Sequence, residues 1–552
     1  MKRKIFFSLV ATVAALSLSS CNLDINEDPY AVTKLDMEQL LTAAEYEVGI
    51  NFSEGYYLNA NFSSYVHHTV SREVDNYALS ASYSTLGNTW SQAYRYSIKN
   101  CDKIIEAGDA DGNVIYAAIA RVLRAHVYMA MTDLWGDIPY SQANNPEYQT
   151  PECDKSVDIY NDLLASLNKA IADLGNTSAP KPGANDLFYA GNTAKWLRAA
   201  NTLKLKLLVQ SRTAKSEITN WASELSSLLA QDNFLQNGED LQFPHSTATT
   251  PSDERNPGYV DEYQGGQKSV WISPWLYEVM NGKTYNFKSN PFRGIVDPRT
   301  KYYYYNQSTA GKDALNPTDY RDGAFITITF GSNSGYTSGT QESVMTTVGI
   351  YPVGGKYDDG RGGAIGAKDG TGIAPDKMLQ AYSVPFMKAE LILAGEATGD
   401  AREQLANGIA ASIYHVNAVS KAADATCPTI SADDAQTFID AVLEKFDAGD
   451  AAKKMEIVMT QKWVANFYNP VEAYNDIRRT GYPVLFKGDD NNMAYTPYAQ
   501  TVEAKPELTP FNLVSLMAFP RVMWYPQGET NANPNISNKD RIVSNKYVFW
   551  DK

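Results

Sequence analysis

From about residue 90 to 232, apolar residues recur with a helical period in segments separated by short turns. Ser156 can cap a helix in which Tyr160, Leu163, Leu164, Leu167, Ile171 and Leu174 share one face, and Gly175 ends it. The next helix, after Thr193, places Trp196, Ala200, Leu203 and Leu207 together. Ile115 to Leu134 has two apolar stripes, Ile115-Ile119-Val122-Met129 and Leu123-Val127-Ala130-Leu134, which predicts a helix sandwiched between others. Helical periodicity returns from about 383 to 468, in Phe386-Glu390-Leu393-Ala397 and from Met455 to Phe467.

Between these helical blocks, about 235–375 is rich in Gly, Pro, Tyr, Asn and Asp, and only Phe325 to Phe330 reads as a strand. Aromatic residues are abundant there, so long packed surface loops are expected rather than disorder, and loops of that length usually bear function. Tyr94 and Tyr128 lie 34 residues apart and Tyr160 follows 32 later, near the length of a tetratricopeptide helix pair.

The amino terminus changes the setting. Lys2, Arg3 and Lys4 precede an apolar run from Ile5 to Leu18, too short for a permanent anchor, which ends in Leu18-Ser19-Ser20-Cys21. That is the form of a lipobox, with two small residues for a peptidase cleft and a cysteine to take the lipid. The expected organisation is a signal peptide over 1–20, an acidic tether over 21–30 behind lipidated Cys21, and one domain over 31–552. No later run approaches 18 apolar residues, so the remainder is expected to be water-soluble. Net charge is −15 and no basic block follows the leader, which argues against a nucleic-acid partner. With Cys21 lipidated, Cys101, Cys153 and Cys427 allow at most one disulfide, and buried free thiols are the default.

Recognisable catalytic motifs are scarce. The five histidines form no HExxH motif, and no CxxC pair exists, so a metal site is not expected. Gly331-Ser332-Asn333-Ser334-Gly335 has Asn where a nucleophile elbow needs Ser, and Gly282-Lys283-Thr284 lacks the upstream glycine of a phosphate loop. Asp109-Ala110-Asp111-Gly112-Asn113 begins like a calcium loop, but Ala120 stands where the bidentate Glu belongs, so a helix–helix turn is expected. With 63 Asp and Glu, a glycosidase carboxylate pair is a matter of geometry that sequence does not decide. The 36 tyrosines and nine tryptophans are the side chains that stack on sugar rings, although core packing is the commoner role of any single one.

Three segments resemble the SusD/RagB family of nutrient-binding outer-membrane lipoproteins. The first is a helix from Arg121 closed by Trp135-Gly136-Asp137-Ile138-Pro139. The second joins Lys462-Trp463 to Arg478-Arg479-Thr480-Gly481-Tyr482-Pro483, and the third is Pro520-Arg521-Val522-Met523-Trp524-Tyr525-Pro526 with Glu529 and Asn533. These motifs read as structural, with Arg478 and Arg479 expected to be buried against acids. The resemblance implies an all-α fold of four tetratricopeptide-like helix pairs with a loop-rich insertion, no catalysis and no cofactor. It also implies a SusC-like TonB-dependent transporter as partner, with the lipoprotein as a lid over the barrel on the outward face of the outer membrane.

The family's binding loops vary, so ligand-binding residues are chosen by chemistry. Arg72, Asp75, Asn76, Tyr77 and Tyr83 fall in a stretch without helical period, whereas Trp90 and Tyr94, on the helix that follows, are expected in the core. In the insertion, Tyr259, Tyr263 and Trp271 surround Gly265-Gly266, and Tyr357 stands beside Asp358 and Asp359. Strand alternation is expected to expose half of the run Tyr302 to Tyr305. The reading is a glycan-capture lipoprotein, with an oligopeptide binder of the RagB type as the alternative and a surface glycoside hydrolase as a weaker one.

Overall fold

The computed structural model describes residues 36–51, 58–71, 86–265, 268, 270–284, 289–309, 320–328, 343–485 and 519–551. The first helical block comprises α1 (Met37–Asn51), α2 (Leu58–Tyr65), α3 (Gly87–Gln92), α4 (Lys99–Asp111), α5 (Val114–Trp135), α6 (Ser156–Leu174), α7 (Thr193–Gln210) and α8 (Trp221–Gln231). A π-helical segment, Ala93–Ile98, joins α3 to α4. The short helix α9 (Pro274–Met280) lies in the middle of the chain, with single-turn helices at Pro257–Tyr259, Thr300–Tyr303 and Ile350–Val353. The second block comprises α10 (Ser383–Leu393), α11 (Ala401–Ala423), α12 (Ala432–Ala448), α13 (Ala451–Ala465) and α14 (Pro470–Thr480).

Helices adjacent in sequence pack as neighbours in space, α4 on α5, α5 on α6 and α6 on α7, then α10 on α11, α11 on α12 and α12 on α13. Contacts between α7 and α10 join the two blocks. The double stripe of α5 has the expected consequence: every residue from Ile115 to Trp135 except Arg124 is buried. Its length and hydropathy alone would let it cross a membrane, but it is the core helix of the bundle. Gly112, at φ +78°, turns α4 into α5, as expected for the calcium-loop look-alike.

Ser156 differs from its expected role. It is the first residue of α6, and its amide donates to Asp137 Oδ1 at 2.8 Å, so the cap comes from a carboxylate in the preceding turn. Gly136 gives that turn its shape at φ +78°, where a Cβ would stand 3.0 Å from the Tyr547 carbonyl oxygen.

The three motif segments meet around the end of α5, at Asp133, Leu134 and Trp135. The Asp133 carboxylate accepts from Tyr160 Oη at 2.5 Å, Trp550 Nε1 at 3.0 Å and Asn475 Nδ2 at 2.8 Å. Burial lifts its pKa to about 6, against the opposing charge of Arg478. Met523 N donates to Leu134 O at 2.7 Å, and Arg541 reaches the Trp135 carbonyl at 2.5 Å, so the carboxy-terminal segment is strapped over the end of α5. Arg479 is buried against Glu390 and Asp476, as expected. Arg478 instead donates to Asn475 Oδ1 and the Arg521 carbonyl, and its guanidinium lies 4.2 Å from the Tyr474 ring centroid. Cys101, Cys153 and Cys427 are free thiols, and burial pushes the Cys153 thiol up to about 12.

Among the described residues the middle block holds short strands in two-stranded antiparallel pairs. These are β1 (Thr69–Ser71) with β3 (Val270–Ile272), β2 (Leu241–Phe243) with β8 (Asp376–Leu379), β4 (Tyr304–Tyr305) with β7 (Thr347–Val348), and β5 (Tyr320–Asp322) with β6 (Phe325–Thr327). The expected strand at Phe325 is β6.

Candidate functional site

Residue order sets up a cleft in the middle block. Ser273 caps α9 by accepting from Trp275 N at 3.2 Å, with Pro274 in the first turn. The helix then presents Tyr277 and Asn281 to the strands that follow. The turn before β4 is anchored by Arg299, which is fully buried and donates to Asp297, to Ser412 on α11 and to Gln461 on α13. The cleft wall is thereby fixed to the second helical block. Gly349, after β7, lets two backbones touch, since a Cβ there would lie 2.3 Å from the Tyr302 carbonyl oxygen.

The cleft encloses about 310 Å³. Tyr277 and Phe325 stack with centroids 3.8 Å apart at 18°, and Tyr304 packs edge-on to Phe325 at 5.5 Å. Polar groups surround these rings. Tyr277 Oη donates to Asp322 Oδ2 at 2.9 Å, Asn281 Nδ2 to Tyr304 Oη at 2.6 Å and Asn306 Nδ2 to Asp358 Oδ2 at 2.7 Å. Gly360 N supports the other Asp358 oxygen at 2.9 Å. Burial raises the Asp358 pKa, opposed by these donors. Lys301, Asp359 and Gly360 are exposed at the rim. Such a cleft offers the edges of buried rings and fixed acceptors, which suits binding and orientation of a polyhydroxylated ligand.

Of the residues picked from sequence, Cys21, Arg72, Asp75, Asn76, Tyr77 and Tyr83 lie outside the described residues. Ser71, the last described residue before the 72–85 stretch, pairs with Val270, and Val70 stands opposite Trp271. Trp271 is buried in that strand pair. Tyr259 and Tyr263 are buried and stack at 4.9 Å and 17°. Their hydroxyls are engaged: Tyr259 Oη shares its one hydrogen between the Ala367 and Gly370 carbonyls, at 2.9 and 3.0 Å, and Tyr263 Oη donates to Val348 O at 2.8 Å. They brace the glycine-rich segment 354–372. Tyr357 is half-buried with its ring 5.0 Å from that of Tyr302, while its neighbours Asp358 and Asp359 line the cleft. Trp90 is buried, as expected, and Tyr94 donates to the Pro139 carbonyl at 2.7 Å.

All four tyrosines from 302 to 305 are buried, contrary to the expected alternation, because the segment is covered on both sides. Tyr303 stacks on Phe467 at 5.1 Å, and Tyr304 faces the cleft rings. The cleft residues Tyr277, Asn281, Tyr304, Asn306 and Asp322 were not picked from sequence. They come from separate segments, and the local signals are the aromatic run that contains Tyr304 and the pair Asp358-Asp359 beside Tyr357.

The sequence matches the family model described as starch-binding and associating with the outer membrane over residues 29–500. No curated protein matches it. Among solved structures, a SusD/RagB family protein from Bacteroides thetaiotaomicron superposes with a TM-score of 0.68 at 20% identity, covering 94% of this chain and 99% of that one. A chitin-binding protein gives 0.66 at 20% identity over 94% and 100%, and a chitin-binding SusD homologue from Flavobacterium johnsoniae 0.65 at 18% over 94% and 98%. The fold of these relatives is the helical, tetratricopeptide-like one described above. The chain belongs to the SusD-like family.

Proposed function

We propose that this protein is a glycan-binding lipoprotein of nutrient uptake. Lipid on Cys21 holds it at the outward face of the outer membrane, and it delivers oligosaccharides to a SusC-like TonB-dependent transporter. The family match over residues 29–500 is the observation that carries the reading. Two solved relatives described as chitin-binding support a sugar ligand, as does the cleft of about 310 Å³ with its ring floor and carboxylate rim. The action is capture without bond breaking: rings meet the CH faces of sugars and the Asp and Asn groups meet their hydroxyls. The tether over residues 22–29 would keep the body near its transporter at high effective concentration.

Electrophoresis through gels containing chitin derivatives, starch, xylan or mannan tests the sugar assignment. Retardation by at least one polysaccharide is expected, and passage through all of them unretarded, with binding to oligopeptides instead, would transfer the reading to the RagB type. Protease treatment of intact cells should degrade the protein, and its survival would place it elsewhere.

A further inference from the structure

Away from the cleft, two buried acids meet with no cation between them. Glu45, on α1, is fully buried, and Asp186, in the loop between α6 and α7, is 2% exposed. Asp186 Oδ1 accepts from Phe188 N at 3.0 Å and Tyr189 N at 3.1 Å, and its Oδ2 accepts from Gly191 N and Trp196 Nε1, both at 2.8 Å. With four donors converging on it, Asp186 is the acceptor of the pair. Glu45 differs. Its Oε2 accepts from Leu187 N at 2.6 Å, while Oε1, buried as well, is bonded to no donor among the described residues. The Asp186 carboxylate stands within hydrogen-bonding reach of it. Two carboxyl groups satisfy one another only when one of them carries a proton.

The elements packed on α1 bring no counterion. α1 itself has no basic residue. α4 presents the buried Cys101 thiol and leaves Lys99, Lys103 and Glu106 exposed. On α5, Arg124 pairs with Asp102 at 2.6 Å, Arg121 with Asp109 and Asp173, His126 lies toward Lys206, and Tyr116 toward Glu38 and Asp36. Arg95, in the π-helical segment, is exposed and lies 5.6 Å from the Tyr96 ring centroid, and α3 and β2 carry no charged residue. Burial, together with the Asp186 charge, holds the Glu45 carboxyl well above its ordinary range.

We propose that Glu45 and Asp186 share one proton, and that this proton is a latch seating α1 on the loop between α6 and α7. In its acid form Glu45 donates from Oε1 to Asp186 and accepts from Leu187 N, and beside it Thr42 Oγ1 donates to the Asn185 carbonyl at 2.7 Å. Loss of the proton sets two negative charges against each other in the core and opens the seat. The folded state holds a proton that the unfolded chain releases above the ordinary glutamate range. The latch is therefore complete below that range and weakens as pH rises through the raised folded value.

Urea unfolding of the full chain and of Glu45→Gln at pH 5, 6, 7 and 8 tests this. Gln keeps the acceptor for Leu187 N and puts an amide hydrogen where the proton stood. The folding constant of the variant relative to wild type should rise with pH, about tenfold per unit while the wild type keeps its proton. Glu38→Gln, exposed on the same helix, should show no such rise. At pH 8 the amides of α1 should exchange more slowly in Glu45→Gln than in wild type at the same pH. Infrared spectra at pH 7.5 should hold a protonated-carboxyl band in the wild type that is missing from the variant. A relative folding constant that stays flat from pH 5 to 8, or the same band in both proteins or in neither, overturns the proposal. Failure of Glu45→Gln to fold overturns it as well, because Gln matches the acid form in shape and bonding.

Discussion

Glu390, on α10, meets Arg212, just after α7, at 3.2 Å and so ties the two helical blocks together. It is wholly buried, and burial alone would lift its pKa, but Arg479 donates to both of its oxygens at 2.8 and 2.7 Å and holds it down at about 2. A depressed carboxylate stabilises the fold above the ordinary glutamate range and loses that contribution as pH falls toward 2. Arg479→Ala should cost about 3–5 kcal/mol in urea unfolding at pH 7, since it strands buried acids. Glu390→Gln should flatten the acid limb of the stability profile; an unchanged limb would assign acid sensitivity to other groups.

His245 has the opposite sign. Burial disfavours its charge, yet the Asp376 carboxylate at 2.8 Å and the Glu254 carbonyl at 3.1 Å hold its pKa above the usual imidazole range. That stabilisation is complete below the unfolded pKa and fades as pH rises through the raised one. The loss of unfolding free energy in His245→Gln should therefore be larger at pH 5.5, roughly 1–3 kcal/mol, than at pH 8.5. Equal losses at both pH values would remove the ion pair from the explanation.

At the scale of elements, the glycine-rich segment 354–372 is held by side chains and by scattered backbone bonds, such as Asp358 N to Lys301 O and Gly363 N to Gln307 O, rather than by a ladder. Tyr259→Phe deletes the one hydroxyl hydrogen shared by the Ala367 and Gly370 carbonyls, and should speed amide exchange in that segment while costing about 1–3 kcal/mol overall. Gly372, at φ +65° with the Tyr259 ring 2.7 Å from where a Cβ would stand, should tolerate alanine poorly for the same reason. If Tyr259→Phe weakens ligand binding without changing exchange, Tyr259 is a contact and not a brace.

These elements also show what the sequence makes legible. The stripes of α5 and α6 and the turn at Gly136 follow from local rules of period and backbone freedom, so they could be read directly. The cap of α6 could not, because Asp137 reaches it across a 19-residue turn. Arg478 and Arg479 are adjacent and chemically identical, and only packing sends one to Glu390 and the other to a carbonyl and a ring.

At the scale of the molecule, two regular helical blocks hold an irregular middle whose polar cleft is assembled from α9, β4, β5, β6 and the glycine-rich segment. No periodicity joins Asn281, Tyr304, Asp322 and Asp358, so sequence pointed to the region and its aromatic chemistry but not to these residues. Tyr259, Tyr263 and Trp271 drew notice by the same aromatic character, and they are buried in the scaffold around the cleft. The central claim is that the whole acts as a binder of sugars. Calorimetric titration of the full chain with neutral oligosaccharides and with oligopeptides of matched length, followed by recovery of each ligand, tests it most directly. Saturable heat is expected with a neutral oligosaccharide that is recovered uncut; heat with peptide alone, or recovery of cleaved sugar, would overturn the sugar-binding role.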